Sequence, residues 1–435
     1  MNVLLISPVA NPSIRFQKAL RIPNITLSLL ATLTPPEHRV NTIEEEIEDI
    51  DFDTDCDLVG ISCATSNALR AYSVADEFRR RGKRVVLGGI HPTVLPQEAI
   101  THADAVVVGE AEEIWPVLLN DAKENRLKPM YTGTLANLES FPVVTARPNQ
   151  KKGFVNVMPI LTTKGCPYNC DFCSVGVING NKIRHIPISR VVETIKASSS
   201  NIFLFLDDNI IARKSYAREL FTALIPLNIK WVGQASISFA DDVELMALAK
   251  KAGCYCLFFG LESVSPAAFE GMHKLKSAEK SADAIAKIRD MGIAFHASVI
   301  FGFDTDDDSI FDLTLEFLMK TKIHSTTFNV LTPYPGTVLF DQMERDNRIL
   351  TKNWNLYDHS TVVFQPKLMS PERLMEQYLT TKKEFYSFSN ILRRAPGNMH
   401  HPLVYFGMNL AFRKSSGEIL NDFRAGSGVL AQDYS

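Results

Sequence analysis

Continuous apolar runs of strand length recur along the chain, and they limit the possible folds more than any other feature. In the first part of the sequence these runs are 2–7, 57–64, 84–89 and 104–110. A helical pattern at 68–82 separates two of them. Strands buried on both faces lack polar alternation, and strands that alternate with helices build parallel sheets. Residues 1–133 are therefore predicted to form an α/β domain with a doubly wound parallel sheet.

A second alternating series begins at residue 156. Its strand candidates are 156–163, 202–208, 230–236, 255–263, 295–303 and 325–332. Helical patterns lie between them, for example at 241–253 and 278–292. Six strand–helix units predict a (β/α)6 partial TIM barrel over residues 156–345. In such folds the active site lies at the carboxyl ends of the strands.

The remaining segments are predicted to be a linker and a cap. Residues 134–155 are polar and contain Pro142, Pro148 and Gly153, which is typical of a linker. Residues 346–435 are predicted to form a mainly helical C-terminal cap, in which Ser370 and Pro371 suit the start of a helix. The aromatic-rich end of the cap predicts a helix packed on the barrel or a lid over an apolar substrate.

Charge and hydropathy exclude two classes of protein. The formal net charge is −3 and no long basic run occurs, so nothing indicates a nucleic-acid-binding protein. No apolar run reaches the roughly 18 residues of a membrane span, and the N-terminus lacks the basic head of a signal peptide. We therefore expect a cytoplasmic protein without a membrane span.

Three of the seven cysteines lie within eight residues, in the segment 164–173, "KGCPYNCDFC". An odd number of cysteines in a large chain argues against a disulfide framework. A structural zinc site needs four protein ligands, and the nearest further candidate is His185, twelve residues after the third cysteine. Iron–sulfur clusters are held by Cys thiolates, and three thiolates on a four-iron cluster leave one iron open for a small molecule.

The spacing Cys-x3-Cys-x2-Cys, with Phe172 before the third cysteine and a first barrel strand before the motif, resembles the radical S-adenosylmethionine superfamily. The resemblance implies that Cys166, Cys170 and Cys173 hold a [4Fe-4S] cluster whose open iron binds S-adenosylmethionine. It also implies that one electron splits S-adenosylmethionine, and the resulting 5′-deoxyadenosyl radical abstracts hydrogen from a small-molecule substrate. A flavodoxin- or ferredoxin-type donor would supply the electron. The sequence singles out no catalytic side chain beyond these.

Further positions follow from the same resemblance. Asp207 and Asp208 stand where the superfamily holds the methionine amino group, although many members have Gly-Gly-Glu there and helix capping is an alternative. Ser236 and Glu262 resemble positions that contact the methionine carboxylate and the ribose, and a structural salt bridge is the alternative for Glu262. Gly302 lies in "FGFD", which resembles the segment near the adenine.

The segments "GISCAT", "GGIHPT" and "VVGEAEE" resemble a cobalamin-binding-type domain that covers nearly all of residues 2–120. The resemblance implies a cobalamin-binding-like Rossmann domain that holds a corrin or its nucleotide tail at the carboxyl edge of its sheet. The implied contact residues are Ser62, Thr65, Gly88, Gly89, His91, Gly109 and Glu110. The D-x-H-x-x-G loop that supplies a cobalt ligand is absent. His91 stands alone, which favours capping or packing over cobalt ligation.

The sequence leaves three functional hypotheses open. The first is a cobalamin-dependent radical methylase, similar to hopanoid-methylase and porphyrin-cyclase relatives. It would pass a methyl group from a second S-adenosylmethionine, by way of cobalamin, to an unactivated carbon of a lipid-like or ring-shaped substrate. The second is a cobalamin-free radical dehydratase, cyclase or C–C coupling enzyme with a vestigial N-terminal domain. The third, a redox or metal sensor, would not need polar residues at so many strand ends.

Overall fold

The computed structural model describes residues 1–10, 20–144, 155–265 and 278–424. Predictions for most of the loop after the first strand, for residues 145–154 of the linker and for the end of the cap lie outside these residues. The chain forms two compact units. The first comprises Met1–Pro167, Cys173–Asp207 and Tyr334–Thr337, and the second comprises Tyr168–Phe172, Asp208–Pro333 and Val338–Ser435. The predicted domain boundaries stay a prediction.

The first unit contains a six-stranded parallel sheet. Its strands are β1 (Asn2–Ser7), β3 (Arg39–Glu44), β4 (Leu58–Ser62), β5 (Arg84–Gly88), β6 (Ala105–Val108) and β7 (Met130–Thr132). Their order is β3-β1-β4-β5-β6-β7, and every pair is parallel. Because the chain order reverses between β1 and β4, the carboxyl edge at that point is a topological switch point, where ligands bind.

Helices cover this sheet and complete its core. They are Ile25–Leu33, Ala68–Arg80, Ile90–Val94, Pro96–Ala99 and Trp115–Lys123. Leu5, Val86 and Val107 of the strands pack with Trp115, whose indole N–H donates to Thr34 Oγ1 over 2.9 Å. Burial of these apolar side chains stabilises the unit at about 25 cal/mol per Å² removed from water.

The first unit also holds the beginning of the second parallel series. β2 (Leu20–Arg21), β8 (Val155–Ile160) and β11 (Ile202–Phe205) pair in parallel, β8 with each of the others. β9 (Thr163–Lys164) and β10 (Arg184–His185) pair antiparallel. The helices Val175–Asn179 and Ile188–Ala197 follow. In the described part of the predicted linker, four apolar side chains are buried, so this part of the linker packs against the rest of the unit. They are Ala136, Leu138, Phe141 and Val144.

The second unit continues the parallel series. β12 (Lys230–Ala235), β13 (Cys254–Glu262), β14 (Ala294–Phe301) and β15 (Ser325–Val330) pair in that order. Their helices are Lys214–Leu224, Val243–Lys251, Ala278–Asp290 and Ser309–Lys320. Trp231 stacks on Phe221, and Phe301 packs on Phe311, so alternate strand residues face these helices. The six units β8 and β11–β15 confirm the predicted (β/α)6 series.

The C-terminal region is mainly helical, as predicted. Its helices are Val338–Arg345, Pro371–Phe385, Phe388–Arg394 and Pro402–Arg424. Ser370 Oγ accepts from Arg373 N over 3.2 Å, which confirms the predicted N-cap before Pro371. Within the described residues, no helix has the length and apolar character needed to cross a membrane.

Side chains of this region cover the outer edge of β15. The Tyr386 hydroxyl accepts from Thr326 N over 3.1 Å and donates to Thr326 O over 2.5 Å. Arg394 donates to the carbonyls of Ile323 and His324 over 3.0 and 3.3 Å. An exposed strand edge is a template for pairing with other chains, and these contacts remove it.

Candidate functional site

The cysteine loop begins at β9 and is held by a backbone contact that only glycine permits. Gly165 has φ +89°, and a Cβ at this position would lie 2.5 Å from the Lys182 carbonyl oxygen. The next residue, Cys166, is buried, whereas Cys170 and Cys173 are partly exposed. None of the three forms a disulfide bond. Among the described residues, no three Cys, His, Asp or Glu side chains are arranged as a metal site.

Asp207 anchors the strand that leads into this loop. Its Oδ1 accepts from the hydroxyls of Thr162 and Thr163, each over 2.6 Å, and from Thr162 N over 3.2 Å. Its Oδ2 is buried and finds no partner among the described residues. Complete burial raises the pKa of Asp207 to about 6, against the opposing effect of these hydrogen bonds. The predicted contact of Asp207 with S-adenosylmethionine stays a prediction.

The donor set of the loop fits an iron–sulfur cluster better than zinc. The loop offers three thiols outside disulfides, one fewer than the four protein ligands that close a tetrahedral zinc site. Asp207 Oδ2, a buried carboxyl oxygen that finds no partner among the described residues, lies where the chain enters the loop. Such an atom suits a site that is completed when a cofactor binds.

A buried ionic cluster joins the start of the cysteine loop to the six-stranded sheet within the first unit. Glu110 follows β6 and contacts Arg184 of β10 and, over 3.6 Å, Lys164 of β9. Lys164 also pairs with Glu112. Burial alone would raise the pKa of Glu110, but the Arg184 hydrogen bond, the Lys164 charge and the Ala136 N–H hold it below its ordinary value.

A cavity of about 190 Å³ opens at the carboxyl edge of the same sheet. Five of the seven residues predicted for corrin contact line it: Ser62, Gly88, Gly89, Gly109 and Glu110. Its apolar base includes Leu29, Val86 and Trp115, and Lys164 lies in its wall. Cofactor sites usually enclose 300–1,000 Å³, so this cavity would take one part of a cobalamin molecule. A mostly apolar lining with a few polar groups fits the tail of such a ligand.

Two glycines and one threonine shape the cavity rim. Gly89 has φ +108°, and its Cβ would lie 2.6 Å from Cys63 O. Gly109 has φ +86°, and its Cβ would lie 2.6 Å from Gly133 O. The Thr93 hydroxyl donates to Gly89 O over 2.7 Å and accepts from Gly109 N over 3.0 Å, which ties the two loops together. Thr93 lies inside the "GGIHPT" segment but was not among the predicted contacts.

The other two predicted corrin contacts, Thr65 and His91, do not line this cavity. Both are buried, and His91 Nδ1 lies 3.3 Å from Thr65 Oγ1 while its Nε2 lies 3.2 Å from Glu98 Oε1. Burial lowers the pKa of His91, with Glu98 opposing the effect. This packing position agrees with the alternative stated for His91 from the sequence.

In the second unit, the residues after β11 hold those after β12. Asn209 is buried, and its Oδ1 accepts from Ser236 N over 3.1 Å. The Ser236 hydroxyl lies 2.8 Å from that of Ser238. Asp208 is partly exposed beside this contact in the chain. Ser236 and Asp208 thus keep polar groups at strand ends, which is where the sequence predicted them.

Glu262, the last residue of β13, has a backbone conformation that is rare outside glycine. Its φ is +56°, and the parallel pairing with β14 shifts register between Gly260 and Glu262. A Cβ at Gly260 would overlap the Glu262 carboxylate, so the side chain folds back over its own strand. Strained residues of this kind concentrate at functional sites, which supports the predicted ribose contact.

Gly302 begins the turn after β14. It has φ +105°, and its N–H donates to Asp306 Oδ2 over 2.9 Å, as does Phe303 N over 3.0 Å. Burial raises the pKa of Asp306 to about 6, with the two backbone N–H groups opposing. The Phe303 ring packs edge-on against Phe172 of the cysteine motif, with centroids 5.9 Å apart. The segment predicted near the adenine therefore contacts the cysteine loop inside this unit.

A polar face on β14 and β15 was not foreseen from the sequence. His296 Nδ1 lies 2.8 Å from Ser325 Oγ and its Nε2 lies 2.8 Å from Thr327 Oγ1, while Asn329 Nδ2 donates to Ser298 Oγ over 3.0 Å. Burial lowers the pKa of His296 to about 3, so the imidazole is neutral. These polar residues alternate along each strand with apolar residues that face the helices. In the sequence they form no recognisable motif, so the polar face could not be predicted.

Comparison with known families supports both halves of this description. The radical SAM superfamily profile matches residues 160–318, and the B12 binding domain profile matches residues 25–119. Bacteriochlorophyllide d C-12(1)-methyltransferase of Chlorobaculum tepidum is 31% identical over 439 residues, covering 96% of this chain and 94% of that protein.

The chain belongs to the radical S-adenosylmethionine superfamily. It falls in the subgroup that carries an N-terminal B12-binding domain. Bacteriochlorophyllide d C-8(2)-methyltransferase of the same organism is also 31% identical, over 421 residues that cover 92% of this chain and 93% of that one.

Two solved structures share the fold of this radical S-adenosylmethionine enzyme. The cobalamin-dependent S-adenosylmethionine radical enzyme OxsB, with aqua-cobalamin bound, has a TM-score of 0.71 at 14% identity and covers 98% of this chain and 75% of its own. The radical S-adenosylmethionine methyltransferase TsrM from Kitasatospora setae, with cobalamin and a [4Fe-4S] cluster bound, has a TM-score of 0.65 at 17% identity and covers 79% and 78%.

The family match confirms the predicted fold class and the predicted cofactors. The enzyme uses a [4Fe-4S] cluster, S-adenosylmethionine and cobalamin. The cobalamin-free alternative is not favoured, because the B12 binding domain profile matches the N-terminal region and the cavity there fits part of the cofactor. A sensor without catalytic activity is not favoured either, since the enzyme relatives match along nearly the whole chain.

Proposed function

We propose that this enzyme transfers a methyl group, by way of cobalamin, to an unactivated carbon of a large apolar ring substrate of the bacteriochlorophyllide kind. The observation that carries the proposal is the wall of the cavity in the first unit. Lys164, two residues before Cys166, lies in the same cavity wall as the glycine loops of the B12-type sheet. One short segment therefore serves the corrin cavity and begins the loop of thiols.

Cys166, Cys170 and Cys173 are proposed as the cluster ligands, since they supply three thiols outside disulfides in the superfamily spacing. When bound, the cluster supplies the electron that splits S-adenosylmethionine, and cobalamin carries the methyl group. Gly165 allows the chain to turn sharply before Cys166, and Asp207 holds the two threonines before that turn. These residues orient the loop without contacting the substrate.

S-Adenosylmethionine is proposed to contact Asp208, Ser236, Glu262 and the backbone around Gly302. Asn209 fixes the backbone of Ser236, and Asp306 fixes the N–H groups of the turn at Gly302. The strained backbone of Glu262 supports a binding role for its carboxylate. The cobalamin contacts are proposed to be Ser62, Gly88, Gly89, Gly109 and Glu110, joined by Thr93 and Lys164.

The substrate class rests on two relatives that act on bacteriochlorophyllide d and match this chain over more than nine-tenths of its length. On the chain itself, the neutral polar face of β14 and β15 would bind carbonyl or carboxyl groups at the edge of such a ring. Gln234 and Thr327 are exposed on alternating positions of their strands and would extend that face. These groups recognise a substrate without placing a charge beside its apolar body.

The electron is proposed to come from a flavodoxin- or ferredoxin-type protein. Seven cysteines that form no disulfide suit a reducing compartment, which supports a cytoplasmic location. Both statements concern the cellular setting and are independent of the methyl acceptor.

The proposal is tested with anaerobically reconstituted protein, hydroxocobalamin, a low-potential reductant and S-adenosylmethionine labelled in its methyl group. With bacteriochlorophyllide d as substrate, we expect 5′-deoxyadenosine and a singly methylated, labelled product by mass spectrometry. Cys170→Ala should abolish both products while leaving the corrin spectrum of the purified protein within about twofold of the parent, because the corrin cavity does not include Cys170.

Each negative result of this assay would reject a different part of the proposal. Release of 5′-deoxyadenosine without a labelled pigment would reject this substrate class. Equal product without cobalamin would reject the route of methyl transfer. Normal 5′-deoxyadenosine release by Cys170→Ala would reject the assignment of the cluster ligands.

A further inference from the structure

The helix Pro402–Arg424, which we name the C-terminal helix, has one face fixed against the protein. Tyr405 and Asn409 are fully buried on this face. Tyr405 donates its hydroxyl hydrogen to Ile391 O over 2.6 Å, and Asn409 Nδ2 donates to His324 O over 3.0 Å. Asn409 Oδ1 also accepts from Arg394 over 3.1 Å. These contacts fix the rotation of the helix about its own axis.

The opposite face carries apolar side chains that no described residue covers. Leu403 is 89% exposed, Leu410 is 43% exposed and Val404 is 37% exposed. Ala411 is exposed on the same face, and Met399, 55% exposed, comes just before the helix. At 3.6 residues per turn, positions 403, 407 and 410 form one line and 404 and 411 lie beside it. We name Met399, Leu403, Val404, Leu410 and Ala411 the apolar stripe.

Exposed apolar side chains concentrate in this part of the chain. Phe388 and Leu392, one turn apart on the preceding helix, are 54% and 47% exposed. Within the described residues sixteen large apolar side chains are exposed, and six of them fall between residues 388 and 410. Single exposed apolar residues are normal on any protein, whereas a local concentration marks an interaction surface.

The charge around the stripe has one sign. The segment 385–417 contains no Asp or Glu, although these residues number 49 in the whole chain. The same segment contains Arg393, Arg413 and Lys414, all exposed, and the exposed His400. Arg394 is buried and bonded to carbonyl groups. These exposed cations lie on the same helix as the stripe or shortly before it in the chain, so a partner that covers the stripe should carry negative charge.

We propose that the apolar stripe docks this enzyme on the surface of an anionic lipid bilayer. A helix with an apolar face and neighbouring Lys and Arg lies in the interface of a bilayer. Its apolar face is buried roughly 5–10 Å deep, at the boundary of the headgroups and the acyl chains. Exposed cations beside it add attraction to anionic lipids. The buried, hydrogen-bonded face with Tyr405 and Asn409 keeps the helix attached to the protein, so docking is peripheral. The proposal does not depend on the identity of the methyl acceptor.

Flotation with lipid vesicles tests this docking directly, using the full-length reconstituted protein. We expect the protein to float with vesicles of phosphatidylcholine and phosphatidylglycerol, and to float weakly with phosphatidylcholine alone. Leu403→Glu should weaken binding to the anionic vesicles about tenfold or more, because one large side chain can no longer be buried. Lys414→Ala should weaken it about fivefold, and added salt should reduce that difference.

Leu313→Glu is the matched control, because Leu313 is 47% exposed on the separate helix Ser309–Lys320. This variant should float like the parent protein, and all variants should keep the parent's melting temperature and cofactor content. Equal flotation of the Leu403→Glu variant and the parent would overturn the proposal. So would a soluble dimer that the Leu403→Glu variant dissociates, since the stripe would then bind a second copy of this chain.

Discussion

Gly89 controls how closely the backbone after β5 approaches the backbone after β4. Its φ of +108° disfavours any other residue, and a Cβ there would meet Cys63 O at 2.6 Å. Gly82 provides a comparison, because it has φ +75° but no atom within 4 Å of its Cβ position. A substitution at Gly82 would therefore cause backbone strain alone, whereas a substitution at Gly89 would cause backbone strain and a steric clash.

The first prediction concerns these two glycines. Gly82→Ala should destabilise the protein by about 1 kcal/mol through backbone strain alone. Gly89→Ala should cost more, about 2–4 kcal/mol, and should lower cobalamin retention at least tenfold, because the cavity rim must move. Thermal denaturation and the corrin absorbance after gel filtration measure the two effects. Equal cobalamin retention by both variants would contradict the role given to Gly89.

Asp306 is a buried carboxyl that fixes the turn at Gly302, and it predicts a pH dependence. Its folded-state pKa of about 6 lies above the ordinary value of 3.8 because of burial. The folded protein thus holds this proton more tightly than the unfolded chain does. The resulting stabilisation is complete below about pH 4 and is lost as the pH rises through about 6.

Asp306→Asn should remove this pH dependence while keeping an oxygen that accepts from Gly302 N. At pH 4 the variant should match the parent, and at pH 7.5 it should be more stable by about 1–3 kcal/mol. Denaturant titrations at both pH values measure the difference, with the exposed Asp312→Asn as control. A constant offset between variant and parent at the two pH values would show that Asp306 does not titrate in this range.

At the scale of elements, the edge strand β15 depends on the C-terminal region for protection. The Tyr386 hydroxyl bridges the N–H and C=O of Thr326, and the Arg394 guanidinium lies 3.7 Å from the Phe385 ring centroid while it donates to the carbonyls of Ile323 and His324 just before the strand. Since β15 pairs only with β14 among the described strands, its other edge would be open without these side chains.

Tyr386→Phe tests this protection by removing one hydroxyl and leaving the ring. We expect a loss of about 1–3 kcal/mol in the free energy of unfolding, because two backbone groups of a buried edge lose their partner. Static light scattering should also detect faster aggregation on heating. Ser389→Ala, at a nearby exposed position, should change neither quantity. An unaltered Tyr386→Phe variant would indicate that water replaces the hydroxyl at this edge.

At the scale of the molecule, one ionic cluster joins the two regions that are proposed to hold cofactors. Glu110 follows the B12-type sheet, whereas Lys164 and Arg184 belong to the two short strands that begin and flank the cysteine loop. Removing the charge of buried Glu110 takes the carboxylate partner from Arg184 and one of two from Lys164, which is more costly than losing an exposed pair. The corrin cavity and the cysteine loop are therefore expected to lose order together.

Glu110→Gln should lower both the iron content and the cobalamin content of reconstituted protein, and should destabilise it by about 3 kcal/mol. Glu113→Gln is the control, because Glu113 is exposed three residues away and accepts from Asn137 N over 3.1 Å. Iron analysis, corrin absorbance and thermal denaturation measure the outcome. Loss of one cofactor alone would show that the two regions are independent.

Sequence patterns were sufficient to predict the buried strands of both sheets, but they did not predict the edge strands β3 and β7. The runs at 2–7 and 84–89 became β1 and β5, because a continuous apolar run has few other stable environments. β3, whose residues are mostly polar and partly exposed, and β7, three residues long, carry no such pattern. Edge strands pair on one side only, so local sequence constrains them weakly.

The sequence by itself determined the family, the parallel architecture and the three thiols, because each depends on residues close together in the chain. Only the tertiary structure decided that Thr93 and Lys164 line the cavity with the predicted glycines, that His91 packs against Thr65 and Glu98 outside the cavity lining, and that His296 faces Thr327. Lys164 lies 76 residues from Gly88 in the chain, and His296 lies 31 residues from Thr327. Their partners are chosen by strand order and register, which no local pattern records.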